Sequence, residues 1–568
     1  MPVHDRVRQH AQNQPDAVAI DIDGRRLSWQ QLWQHSLALY QHIHQQPAVS
    51  GIVAIATGND IGFPVCWLAA TAQPGTAAIV DPDLPQAQLQ DLLTRLAPDL
   101  LLLRSADRPL IALADRLAIR WLAIDVWQPK SEQGAPRVSA AQASAISTST
   151  SLTLLNAPQS SSRPPLNKSP ASALNATAER AGQEALNTEN HAITDRDSAA
   201  FTAGMHDPTP FLINFTSGTT SLPKAFSRSR RSWRSSFENG EAVFGLAEAP
   251  STLFPGPLAH GIGLYCLNET LYAGGTFYSM GRWQPAAALA LIAQQQIARL
   301  VVVPTMISGF SRAASGEGKL TLPTLKQLLS AGAKLELNHY RQARALFPAA
   351  VMQEYYGASE LGFIAVNTLD DLNIADALAT VGHAFPGTRL SIRDDNGEPL
   401  PPGQPGTIWL ESEQIINGYL WGDDGQALVQ RAYGATVADI GWLDVQQRLH
   451  VIGRRGNMIL SGGNNIYLAE IESVIKSVPG VIEAVVIAVD DGDAGQQAVA
   501  IVEGSATCLQ TLPQLCRERL AKYKLPRRFF RTESWPLTPS GKIKRVELAE
   551  RITHRDRYPD LTEFPAGR

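Results

Sequence analysis

Several short stretches of this 568-residue chain carry residue types that could do chemistry. Residues 214–225 read NFTSGTTSLPKA. The hydroxyls of Thr216, Ser217, Thr219 and Thr220 and the charge of Lys224 surround Gly218, whose missing side chain lets backbone N–H groups come close to an anion. Such a stretch suggests a loop that wraps phosphate. It is not a Walker loop: counted from Gly218, Pro223 stands where the second glycine belongs and Ala225 follows the lysine. Residues 354–362, EYYGASELG, set an aromatic pair, a glycine, a hydroxyl and a carboxylate in one run. A nucleophile elbow would need glycine where Leu361 stands, so serine hydrolysis loses its main support. The combination suits an adenine face and a Mg²⁺ ligand at Glu360. VADIGWLD brings Asp439, a candidate acceptor for ribose hydroxyls, and GRRGN brings Arg454. Near the C-terminus PLTPSGKIKR presents Lys542 on a turn. Taken singly, the first stretch reads equally well as a plain polar turn and the second as a strand-to-loop junction, and a lone SGK is more often a solvated turn.

Elements of regular structure must bring these residues together. RLSWQQLWQHSLALYQHI sets Leu32, Leu37, Leu39 and Tyr40 near one helical face. GIVAIAT and AAIVDP are short apolar runs bounded by turn residues, as buried strands are. This alternation predicts the α/β class with mostly parallel sheets. It resumes at PFLINF and turns, around LSIRDDNGEPLPPGQPGTIWL, into short strands joined at NG and PG turns, a small β-rich subdomain. Beyond LHVIGRR a compact α+β unit follows. The expected organisation is an N-terminal domain over 1–454 and a small C-terminal domain over 455–568. The first is interrupted at 129–207 by a low-complexity, Ala/Ser/Thr/Asn/Pro-rich insertion. That segment lacks the apolar content to offset its ordering entropy, so it reads as a disordered surface insertion.

Composition excludes other classes. Apolar residues make up 44% of the chain and charged residues 18%, which fits a globular enzyme. Lys and Arg number 49 against 53 Asp and Glu, and the net charge of −4 gives no reason to expect nucleic acid as a partner. Four cysteines form no C-x-x-C pair, and no apolar run reaches the roughly 18 residues of a transmembrane span. A cytoplasmic chain is the expectation.

In this order and spacing the stretches resemble the adenylate-forming superfamily: acyl-CoA synthetases, peptide-synthetase adenylation domains and firefly luciferase. The family's [YF]-T-S-G-[ST]-T-G-x-P-K is similar to FTSGTTSLPK, with Ser221 in place of its last glycine. Its Y-G-x-T-E is matched by Tyr356-Gly357-Ala358-Ser359-Glu360, its T-G-D by Val437-Ala438-Asp439, and its S-G-K-x-x-R by Ser540 to Arg545.

The resemblance implies that a carboxylate attacks the α-phosphorus of ATP and expels pyrophosphate, and that a thiol then displaces AMP. It implies phosphate contacts at Thr216, Ser217, Gly218, Thr219, Thr220 and Lys224, and Mg²⁺ positions at Thr216 and Glu360. An adenine pocket is implied at Gly332, Ala333, Tyr355, Tyr356 and Gly357, with Ser359 beside it, and ribose contacts at Asp439 and Arg454. Lys542 would bridge the acyl carboxylate and the α-phosphate, with Gly456 at the hinge that rotates its domain. His260 matches an acyl-CoA synthetase pattern, and Gly261 and Gly263 are expected to leave room for an acyl or aryl group. No carboxylate stands in residues 257–264, so an α-amino acid substrate is disfavoured. The expected activity is that of an acyl- or aryl-CoA synthetase using ATP, Mg²⁺ and coenzyme A on a small carboxylic acid. A ligase loading the phosphopantetheine of an acyl carrier protein is the rival. A degenerate nucleotide-binding interaction protein and a luciferase-like oxygenase are the alternatives from other classes.

Overall fold

The computed structural model describes residues 2–44, 51–72, 75–124, 208–216, 223–246, 250–314, 320–423, 425, 427–455, 458–461, 464–490, 496–538 and 541–564. The insertion predicted at 129–207, Ser217 to Thr220, Ser221 and Gly456, expected at the hinge, lie outside them.

Two large sheets dominate. In the nine-stranded sheet the central strands Val18–Ile22, Thr276–Ser279, Ser251–Leu253, Arg299–Val302, Gln327–Ala331 and Val351–Ala358 are parallel neighbours in that order. Antiparallel strands close its edges: Arg25–Ser28 at one, Gly362–Leu369 and His383–Ala384 at the other. In the seven-stranded sheet Trp121–Ala123, Leu100–Leu103, Ile52–Ile55, Thr76–Ile79 and Pro210–Thr216 are parallel neighbours, and Lys224–Ser229 and Gly418–Trp421 complete it antiparallel.

The strand sequences explain this. Leu100–Leu103 is four leucines, all buried, as a parallel strand covered on both faces requires. Each such leucine contributes roughly 1.5–3 kcal/mol by leaving water. One continuous apolar cluster takes residues from both sheets, Ile20 and Phe277 from one and Ile55 and Phe211 from the other. The helix Phe63–Thr71 belongs to that cluster and is buried on every face, which matches its uniformly apolar sequence. In the helix Trp29–His44, Leu32, Leu37 and Tyr40 are buried and Leu39 packs against the cluster from its margin.

The β-rich part is a six-stranded antiparallel sheet that includes Arg389–Arg393, Gly406–Glu411, Asp439–Leu443 and Leu449–Arg454. Residues beyond it build a smaller α+β unit. Its four-stranded sheet, Val481–Asp490, Gln496–Gly504, Arg528–Arg531 and Thr562–Phe564, has an apolar cluster of its own on each face. Among the described residues no helix is long and apolar enough to cross a membrane.

Candidate active site

The phosphate-loop candidate is the connection of a β-hairpin. Thr216 ends one strand and Lys224 begins the next, and the two are direct cross-strand partners. The sheet thus fixes both ends of the stretch whatever its interior does. A third strand locks the exit: Trp421 Nε1 donates to the carbonyl of Pro223 at 3.0 Å. Gly422 takes φ +83°, and a Cβ there would meet Lys224 Cα at 3.0 Å, so glycine is required for the close approach.

Tyr419, on the same third strand, joins this hairpin to the carboxylate. Its hydroxyl donates to Glu360, and its ring lies 5.9 Å from the Lys224 ammonium. Burial pushes the phenol's pKa up and the neighbouring Glu360 charge adds to this, while a hydrogen bond with Thr216 works the other way. Tyr419 therefore stays protonated and ties Thr216, Lys224 and Glu360 into one cluster. Glu360 itself is buried in the tight turn between Val351–Ala358 and Gly362–Leu369, where its backbone carbonyl accepts from Ile416 N–H at 2.9 Å. At Gly357 a Cβ would lie 2.6 Å from the Gly362 carbonyl oxygen, so the turn closes only around glycine. Arg228, buried beneath, donates to the Gln414 carbonyl; burial lowers its pKa to about 10 against the charges of Tyr265 and Glu360.

Asp439 and Arg454 are also cross-strand partners, with Arg454 Nε donating to Asp439 Oδ1 at 2.8 Å. Tyr356 donates its hydroxyl to the other oxygen, Oδ2. Two residues read separately as ribose contacts thus form one preset unit with a third, Tyr356, that was read as an adenine contact. Ala438, which replaces the family's glycine, sits at φ +62°. The backbone keeps the left-handed conformation that glycine would adopt freely, at a cost of about 1 kcal/mol for alanine. Tyr355 is held differently: its ring is packed against Phe244 and Phe363.

Lys542 arrives from the small C-terminal unit. It closes a turn in which Thr538 N–H donates to the Lys542 carbonyl at 2.7 Å and Lys542 N–H donates to Thr538 Oγ1 at 3.0 Å. Gly541, at φ +79°, accepts a hydrogen bond on its carbonyl from Thr305 Oγ1 at 2.7 Å, across the seam between the units. The Lys542 side chain then lies over Gly332. A Cβ at Gly332 would be 3.3 Å from Lys542 Cε, beside Ile262 and Val303, and at φ +81° only glycine fits there without strain. Ala333 follows, exposed. Lys542 keeps access to water, yet the protein crowding its ammonium lowers its pKa; Arg454 adds to this and Glu360 opposes it.

His260 stands at the N-terminal boundary of the helix Gly261–Ala273, its side chain making no capping bond, and faces Asp81, with Nε2 3.7 Å from Oδ2. Burial lowers the imidazole pKa, Asp81 raises it and Lys542 lowers it. Burial raises the Asp81 carboxyl. Gly261 is exposed, and a Cβ there would meet nothing nearer than Ser359 Oγ at 3.8 Å. The expectation for Gly263 needs correction. It is buried, and a Cβ there would meet the Pro257 carbonyl oxygen at 2.5 Å and Phe254 Cε1 at 2.6 Å. Gly263 serves close packing of the helix and leaves no open space.

Sequence reading missed Tyr419, Asp81 and Gln414. Asp81 did carry a signal: it lies two residues beyond a buried strand, at the carboxyl end where open α/β sheets place their ligands. Tyr419 and Gln414 reach the site from sequence-distant positions with no local pattern.

The model of the AMP-binding enzyme family matches residues 7–420, and that of the AMP-binding enzyme C-terminal domain matches residues 470–542. An uncharacterized acyl-CoA ligase, YhfT of Bacillus subtilis, is 34% identical over 349 residues, covering 61% of this chain and 70% of that one. A putative long chain fatty acid-CoA ligase, VraA of Staphylococcus epidermidis, is 30% identical over 368 residues, 64% of this chain and 76% of its own. Among solved structures, ATP-bound MatB from Rhodopseudomonas palustris superposes with a TM-score of 0.74 at 21% identity, over 98% of this chain and 99% of that one, a likeness of fold.

Proposed function

Since the chain belongs to the AMP-binding enzyme family, we propose that it is an AMP-forming acid–thiol ligase: it condenses a small carboxylic acid with ATP to an acyl-adenylate and passes the acyl group to coenzyme A. The observation that carries this reading is the convergence at Gly332. Lys542 is delivered there from the C-terminal unit, within the electrostatic reach of Glu360, Arg454 and His260.

The chemical difficulty is an anion approaching a polyanion, so positioning and charge compensation supply most of the catalysis. Thr216, Lys224 and the stretch between them would cradle the β- and γ-phosphates. Asp439 would accept from the ribose hydroxyls, already oriented by Arg454 and Tyr356. Lys542 would offset the charge that builds up as the acyl carboxylate meets the α-phosphate, and its lowered pKa reflects the protein crowded around its ammonium. Among the described residues no three metal-ligating side chains gather into a cage. A Mg²⁺ ion that takes most of its ligands from phosphate and water needs only one or two protein oxygens, which Glu360 and Thr216 would supply. Bound there, the ion would neutralise phosphate charge.

The acid's tail would enter past Gly261, and the acceptor would be the thiol of coenzyme A. The relatives named as CoA ligases support that choice. Substrate-dependent ATP–pyrophosphate exchange over a panel of carboxylic acids tests the first half. Thioester formation with coenzyme A against a pantetheinylated carrier protein tests the second. Exchange with no acid of the panel would refute the ligase reading, and thioester on the carrier alone would move the acceptor.

A further inference from the structure

Away from the nucleotide site, the C-terminal unit also meets the large domain at a cluster of ionisable groups. The helix Leu337–Leu346 presents His339, capped by Glu336, to the C-terminal unit. Opposite stand Glu483 on the strand Val481–Asp490 and Lys476 on the helix Leu468–Lys476. His339 Nε2 lies 3.9 Å from Glu483 Oε2, buried and with no hydrogen-bond partner among the described residues, and Lys476 Nζ lies 2.6 Å from Glu483 Oε1. Behind Glu336 stand Lys334 and Glu354, paired with each other. Glu472, beyond Lys476, is already bound to Arg545. Three carboxylates, Glu336, Glu354 and Glu483, therefore face two ammonium groups, Lys334 and Lys476. With neutral His339 the seam balances only when one carboxyl holds a proton.

We propose that this seam is a proton-linked latch that holds the C-terminal unit in the orientation delivering Lys542, with Glu336 and His339 acting in opposite directions. This rests on the reading that the docked orientation serves the adenylation site.

The two groups are displaced in opposite senses. Burial, with Glu354 and Glu483 beside it, raises the Glu336 carboxyl to about 7 against Lys476 and Lys334. Burial lowers the His339 imidazole to about 4 despite Glu483, with Lys476 reinforcing the fall. Burial works to lower Lys476, but Glu483 and Glu472 outweigh it and raise it, so Lys476 stays charged throughout. Undocking exposes Glu336 and His339 and returns them toward their ordinary 4.5 and 6.5. Glu336, raised in the docked state, favours docking at low pH, and that contribution is lost as pH rises through about 7. His339, depressed in the docked state, favours docking above 6.5, and that contribution is lost as pH falls toward about 4. Between about pH 8 and pH 6 the first effect tightens docking up to about tenfold and the second weakens it up to about fourfold. The native chain retains a net change of about twofold.

The test reads orientation without turnover. All four native cysteines are buried, so Arg282→Cys and Glu518→Cys, both at exposed positions, accept a donor and an acceptor dye on the full chain. The docked fraction is followed by energy transfer between about pH 6 and pH 8, with neither ATP nor acid present. His339→Gln should show docking about tenfold tighter at the acid end, and Glu336→Gln about fourfold weaker there, the opposite slope. Equal slopes in both variants and the native chain, or transfer independent of pH in all three, overturn the latch. Should His339→Gln not fold, inversion of the native slope by Glu336→Gln alone decides. If exchange activity proves absent while the slopes invert, the ligase reading fails and the latch stands.

Discussion

The pair Asp439 and Arg454, proposed to hold the ribose, and Lys542, proposed to act in adenylation, are built in contrasting ways. Asp439 and Arg454 face each other across a ladder, and Tyr356 reaches them from the hairpin of the nine-stranded sheet. Backbone register decides their geometry. Lys542 stands on a turn whose Gly541 carbonyl accepts a hydrogen bond from Thr305 of the large domain, and its side chain lies over Gly332. One group is part of the scaffold and the other is presented to it. Groups that hold a substrate through several steps profit from the first arrangement, and a group needed in one step only can be supplied by the second.

The sharpest way to break this comparison is Lys542→Ala. Loss of one charge-compensating donor should slow adenylation by roughly 10²–10³-fold or more, while thioester formation from supplied acyl-adenylate largely survives. Equal loss in both half-reactions, measured side by side, would mean the lysine belongs to the fixed scaffold after all. Next in size is Asp439→Ala, which removes a charged acceptor from both Arg454 and Tyr356. Charged hydrogen bonds of about 1.5–3 kcal/mol convert to a rise in the KM for ATP of roughly ten- to a hundredfold, and both half-reactions that handle the nucleotide should suffer. Thr305→Val removes the hydrogen bond across the seam. A neutral bond of about 0.5–1.5 kcal/mol shifts the docked equilibrium about two- to tenfold, read by energy transfer, with the Tm of the large domain unchanged. The smallest effect is expected from Ala438→Gly, which relieves the positive φ beside Asp439. Stability should rise by at most about 1 kcal/mol in denaturant unfolding, with little change in KM.

How far these features were legible in the sequence follows the same division. Residues whose neighbours lie within one hairpin were readable: Thr216 and Lys224 flank a loop, and Ser359 and Glu360 follow an aromatic strand. The parallel sheets were readable because strands such as Leu100–Leu103 are apolar on both faces. Asp439 and Arg454 were each singled out but not as partners, because which residues oppose in an antiparallel pair depends on turn length and bulges; here a register shift falls between Ile440 and Gly441. Gly263 misled because a glycine admits two opposite explanations, open space or crowding, and only coordinates separate them. The seam of Glu336, His339, Lys476 and Glu483 left no trace, since charged residues on a helix and a strand are the ordinary clothing of a surface until another unit covers them.

The strand Leu449–Arg454 has one further consequence. Its ladder ends where Arg455 N–H donates to the Ala438 carbonyl at 2.9 Å, and the chain then leaves for the C-terminal unit. The last fixed rung thus lies one residue from Arg454. A reorientation of that unit that leaves the rung intact has to be taken up by backbone torsions beyond Arg455, and it shifts the Lys542 ammonium while Asp439 and Arg454 stay in register.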